Sequence, residues 1–195
     1  MKTSFAFRPF VIAAVLAIVT AFAVHSARAQ APLSLFGAPL KGASRDTLRA
    51  ALLKAGLTPT RVDNNYFCDQ YDVSGKLKGA TQLTVCYTED DNTFASAEYT
   101  FPAFMDTGLV KRVIDMVQVK YGRPTSLSGN YGLGGVTAKW RQPQGMQVLV
   151  TRGWPDTTTY LDLTDVANDR KMHAQMRADE AARQKQQAQS QSKAF

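Results

Sequence analysis

The sequence predicts an α+β domain in which two helices cover one face of an antiparallel sheet of about six strands, followed by a polar helical tail. Three observations predict it. Two segments place apolar residues at helical spacing, and several short runs alternate apolar with polar residues as half-buried strands do. Two cysteines, Cys68 and Cys86, bracket a turn-rich stretch.

The chain opens with a leader. Lys2 and Arg8 precede a 15-residue stretch, Phe10 to Val24, that is apolar except for Thr20, and Ala27-Arg28-Ala29 has the small-x-small form a signal peptidase cuts. An uncleaved anchor needs roughly 18 or more continuous apolar residues. The expectation is therefore a signal peptide over residues 1–29, an exported mature chain starting near Gln30, periplasmic or secreted, and no stable membrane span after cleavage. No cysteine stands at the cut, so lipid attachment there is not expected.

Charge is recounted without the leader. The full chain is +7, and loss of Lys2, Arg8 and Arg28 leaves 20 basic against 16 acidic residues. Residues 165–195 hold 6 of the basic and 4 of the acidic ones, so residues 30–164 carry only +2. So balanced a surface lacks the concentrated basic stripe a nucleic-acid partner requires.

The first helix is signalled by Ser44 as N-cap, then Leu48, Ala51, Leu52 and Ala55, with Gly56 to stop it. An extended run from Thr60 to Asp69 follows. Tyr71 to Gly79 reads as a loop, because it holds Ser74-Gly75 and Lys78-Gly79. Folding the chain back about residue 77 sets Cys68 opposite Cys86 on neighbouring antiparallel strands, and an even pair in an exported chain predicts one disulfide. Leu83, Val85 and Tyr87 alternate, Glu89 to Asn92 turn, and Ala95, Ala97, Tyr99 and Phe101 return on one face. The second helix follows Asp106, with Val110, Val113, Ile114, Val117 and Tyr121 on one side and Gly122 then Pro124 at its end. A Gly-rich loop, Gly129 to Gly135, leads to three further runs around Trp140, Val148 and Leu161.

Helix followed by three strands thus occurs twice, and each helix ends in Gly followed by Pro-Thr. A duplication would produce that pattern. Residues 30–164 suffice for one core. From Asp165 the composition turns to Ala, Gln, Arg, Lys, Asp and Glu, which favour helix to about Gln187, with a thin stripe of Val166, Met172 and Met176; Gln184 to Ser192 is expected to fray.

Catalytic chemistry is sparse. His173 is the one histidine outside the leader and lies in the tail, which argues against a Ser-His-Asp arrangement, a Cys-His pair or a His-rich metal site. Paired carboxylates remain conceivable among Glu89, Glu98, Asp156 and Asp162, although each also suits a turn or the polar face of a strand. The Gly-rich loop lacks the Gly-Lys-Ser/Thr ending of a phosphate loop and precedes a strand, so no cofactor is called for. Tyr131 at its tip, Trp154 in another turn and Tyr71 near Cys68 are the candidate partner-contact aromatics. Trp140 reads as core.

The segment Phe36-Gly37-Ala38-Pro39-Leu40-Lys41-Gly42-Ala43-Ser44 with Leu48 to Gly56, followed by helix-plus-strands with a disulfide, resembles in organisation the β-lactamase-inhibitor-like group, which includes small outer-membrane assembly accessory proteins. The resemblance spans residues 36–164 and implies a protein that binds proteins and catalyses nothing; the lipid-attachment cysteine of the assembly accessories is missing here. The sequence thus points to a non-catalytic, exported interaction module of the bacterial cell envelope. A carboxylate-dependent hydrolase of envelope glycans and a periplasmic small-molecule binder are the alternatives.

Overall fold

The computed structural model describes residues 32–132, 134–155 and 157–194. The predicted leader, the mature start at Gln30 and the carboxylate candidate Asp156 lie outside them. The chain is α+β, with three helices, an eight-stranded antiparallel sheet and a two-stranded one.

A small ribbon of β1 (Ser34–Leu35) and β2 (Ala38–Pro39) leads into α1 (Arg45–Lys54). Ser44 caps this helix, its Oγ accepting from the Thr47 amide at 3.3 Å, and Gly56 takes the left-handed φ of 75° that ends it. Four strands follow: β3 (Thr58–Arg61), β4 (Cys68–Asp72), β5 (Gln82–Tyr87) and β6 (Phe94–Phe101). Then α2 (Leu109–Tyr121) opens a second unit of four: β7 (Ser126–Gly129), β8 (Val136–Arg141), β9 (Met146–Arg152) and β10 (Thr159–Asp165). Strand order is β3-β4-β5-β6-β10-β9-β8-β7, so the two units meet at the centre where β6 pairs with β10.

The expected count of six strands is corrected to eight. The expected extended run Thr60–Asp69 is in fact the end of β3 and the start of β4 with a turn between them, and β7 went unread; β3 and β7 are the two outer edges, and nearly all their residues are exposed. Without a buried face there is no alternation to read. The expected Tyr71–Gly79 loop is also shortened, since Tyr71 and Asp72 belong to β4.

One face of the sheet is the core. Leu48 and Leu52 of α1 and Val110, Val113, Ile114 and Val117 of α2 pack on Tyr71, Leu83, Val85, Tyr99, Phe101, Trp140, Val148 and Val150, all buried. The Trp140 indole donates to the Gly122 carbonyl at 2.8 Å, tying β8 to the end of α2. The disulfide joins Cys68 and Cys86, directly opposite on β4 and β5.

The second face carries α3 (Val166–Gln191), a 26-residue helix. Asp165 caps it by accepting from the amides of Ala167 and Asn168, and Lys41 pairs with the same carboxylate at 2.7 Å. The helix continues through Gln184–Gln191, where fraying was expected, because Ala, Gln, Arg and Lys all sit near the top of the helix-propensity order. Met172 is its one buried residue. It packs against Cys86 and Ala95 in a separate small cluster flanked by Phe67 and Cys68. Ala95 faces that way because of a bulge: Cys86 pairs with Ser96 and Tyr87 with Phe94, leaving Ala95 as a surplus residue in β6.

Candidate functional site

At one end of the sheet a buried cation ties two loops together, and a third loop joins one of them. The guanidinium of Arg152, 3 % exposed at the end of β9, donates through Nη1 to the Thr107 carbonyl at 2.8 Å. Through Nη2 it reaches the carbonyls of Asn130, Tyr131 and Gly134, each at 3.0 Å. It therefore fixes the loop before α2 to the Gly-rich loop. The latter is also pinched at its base, where Asn130 donates to the Gly135 carbonyl and a Cβ at Gly129 would lie 2.1 Å from the Gly135 oxygen. The third loop, between β9 and β10, joins through Thr157, whose Oγ1 accepts from the Met105 amide at 3.2 Å.

The surface these loops present is apolar. Phe104 is 93 % exposed, Met105 85 % and Trp154 61 %. Phe104 and Met105 also hold left-handed backbone, with φ of 39° and 73°. Large side chains rarely adopt that conformation, and strained residues of this kind cluster at binding sites. Fixed loops bearing exposed aromatics are the usual anatomy of a recognition surface.

Of the three predicted contact aromatics, Trp154 is exposed at this end, and Tyr131 is half-buried with its ring side packed on the core. Tyr71 is a correction: it is fully buried beneath α1, because β4 turns it to the core face, so no partner touches it. Sequence reasoning missed Phe104, Met105 and Arg152. The first two were discoverable as large apolar residues in the non-periodic stretch Pro102–Asp106; nothing local marks Arg152, whose role depends on carbonyls from two distant loops.

Two candidate carboxylates do meet. Glu98 of β6 and Asp162 of β10 are directly opposite partners, half-buried on the second face. Burial, then the facing Glu98, pushes Asp162 up to about 7, and burial raises Glu98 as well. The two side chains hydrogen-bond to each other. Such a pair shares a proton. Glu89 sits apart, its backbone amide donating to Gln175 of α3. His173 lies on α3, 3.6 Å from Asp169.

A second electrostatic cluster lies under α1. Arg45 and Arg49 both grip Asp69, Nη2 of Arg45 at 2.7 Å and Nε of Arg49 at 2.8 Å, with Arg45 and Asp69 almost wholly buried. Burial alone would raise the Asp69 carboxyl, but the hydrogen bonds from Arg49 and Arg45 outweigh it and leave it below its ordinary value. Arg45 lies over the Tyr87 ring at 4.9 Å. Burial pushes Tyr71 up to about 12 and Tyr87 still further. The cluster docks α1 onto β4, and Arg45 also lines a cavity beside Asn64, Tyr66 and Phe67.

Among the described residues, no three His, Cys, Asp or Glu side chains are placed to hold a metal ion, and no helix is long and apolar enough to cross a membrane. No protein-family model and no curated protein matches the chain. Among solved structures, it is similar to the DUF4309 family protein YjgB from Bacillus subtilis subsp. subtilis str. 168, at 15 % identity and a TM-score of 0.41, over 70 % of this chain and 87 % of that one. That likeness carries no functional argument.

Proposed function

We propose that this chain is a non-catalytic protein-interaction module of the bacterial cell envelope, exported by its leader, that holds its partner through the loop end gathered by Arg152. The observation that supports this reading is the fixed exposure of Phe104, Met105 and Trp154 at one end of a disulfide-bonded sheet. Buried loop anchors keep those side chains in place before a partner arrives, which lowers the ordering cost of association. Aromatic anchors of this kind carry most of the energy of typical interfaces.

The test replaces Phe104, Met105 and Trp154 together by Ser in the full chain and compares photo-crosslinking, in envelope extracts, from a photoreactive residue at the exposed position 153 of both proteins. The triple variant is expected to lose the crosslinked partner by about tenfold or more, each anchor contributing roughly 1–2 kcal/mol, while its melting temperature stays within a few degrees. Equal crosslinking by both proteins would sink the reading.

A further inference from the structure

We propose that α3 is a pH-sensitive latch, seated on the second face of the sheet in acid and loosened as the medium becomes alkaline, because its first turns bring Asp169 to the facing pair Glu98 and Asp162. The proposal is independent of the loop-end reading.

The geometry begins with register. Glu98 and Asp162 face each other across the central β6–β10 pairing, where like charges are unfavourable. Both are half-buried, so water screens them poorly. The chain then passes straight from β10 into α3, which returns Asp169 within electrostatic reach of Asp162.

Among the described residues, no cation is paired with Glu98 or Asp162. From β9 the residue opposite Asp162 is Leu149, and Lys139 lies one strand beyond it on β8. Tyr160 and Thr164 are the same-face neighbours on β10 itself. On α3, Lys171 is committed to Asp90 and Asp91, at 2.8 and 3.2 Å, and Arg170 is exposed. His173 faces Asp169 at 3.6 Å and neutralises it only when its ring is protonated.

Protonation therefore acts in one direction throughout the cluster. In acid, Glu98 and Asp162 share a proton. In alkali, three carboxylates stand together. The seat they act on is slight: Met172 is the one buried side chain of the helix, helped by the Asn168 amide donating to the Phe94 carbonyl at 2.9 Å and by the Lys171 and Gln175 contacts to the Glu89–Asp91 turn. Loosening would uncover Cys86, Ala95, Phe67 and Cys68.

Hydrogen exchange on the full mature chain tests this, with protection corrected for intrinsic exchange at about pH 5.5 and about pH 8.5. Protection of amides 167–176 is expected to fall about tenfold or more on going to the higher pH, a tenfold change corresponding to one unit of pKa displacement, while β5 and β9 keep theirs. Asp162→Asn is expected to hold α3 protection level across the range. Equal protection of native α3 at both values, or an equal fall in Asp162→Asn, overturns the proposal. Should that variant not fold, carboxyl carbon NMR on the native chain decides: Asp162 titrating near neutrality in step with α3 amide shifts supports the latch, and titration in the ordinary Asp range overturns it.

Discussion

The two units of the sheet follow the same plan, a helix ended by glycine and then four antiparallel strands, yet they are held by different chemistry. In the first, α1 is fastened by charge: Arg45 and Arg49 close on Asp69, and a disulfide joins the two strands beside it. In the second, α2 lies on an apolar bed of Val148, Val150 and Trp140, and the buried cation, Arg152, is spent on loop carbonyls. One plan thus supports both a covalently closed unit and a unit whose loops leave large apolar side chains exposed at one end. Buried polar groups are retained in both, but in the first they fix a helix and in the second they fix loops.

Substitutions probe that contrast, the most damaging first. Asp69→Ala leaves two arginines without their acceptor, one of them almost wholly buried, and is expected to cost about 3–5 kcal/mol in urea unfolding. If it costs under about 1 kcal/mol, the first unit is not held by charge. Replacing Cys68 and Cys86 by Ser, which opens a crosslink of sequence separation 18, is expected to lower stability by about 3 kcal/mol with no matching effect in a reducing buffer. Arg152→Met strands four carbonyls and should cost about 2–3 kcal/mol, with hydrogen exchange rising at 103–108 and 129–135 before it rises in β8 or β9. Uniform loss of protection would mean that Arg152 supports the sheet and not the loops.

The smallest effect is a pH dependence of opposite sign at two carboxyls. Asp69 is depressed in the fold, so its stabilisation is present above the ordinary Asp value of about 3.9 and is lost as pH falls through its folded value. Asp162 is raised to about 7, so its contribution is present in acid and is lost as pH rises from about 4 towards neutrality. Stability against pH should therefore lose its acid limb in Asp69→Asn and its decline towards neutrality in Asp162→Asn. A profile that neither variant changes would contradict both assignments.

Elements with one buried face were legible from the residues. The alternation of β6, β8, β9 and β10, the caps of α1, the Gly122 end of α2, and the Cys68–Cys86 register all follow from local spacing. What could not be read was set by distant neighbours. β3 and β7 have no buried face, Asp69 gives no sign of two arginines a helix away, and the meeting of Glu98 with Asp162 requires the pairing of the fourth strand of each unit. At the site, Trp154 stood out by composition, whereas Tyr71 has the same chemistry and is buried by strand parity.

The surplus residue in β6 reverses parity along the strand. From Ser96 onward the side chains alternate in one phase, while Phe94, on the far side of Ala95, alternates in the other and so enters the main core. Deleting Ala95 would bring Phe94 next to Ser96 in regular alternation, with both side chains keeping their faces, and would remove the small residue on which Met172 rests. The extra alanine thus lets a single strand serve two hydrophobic clusters on opposite sides, and it gives the terminal helix a place to sit without taking a large side chain from the core.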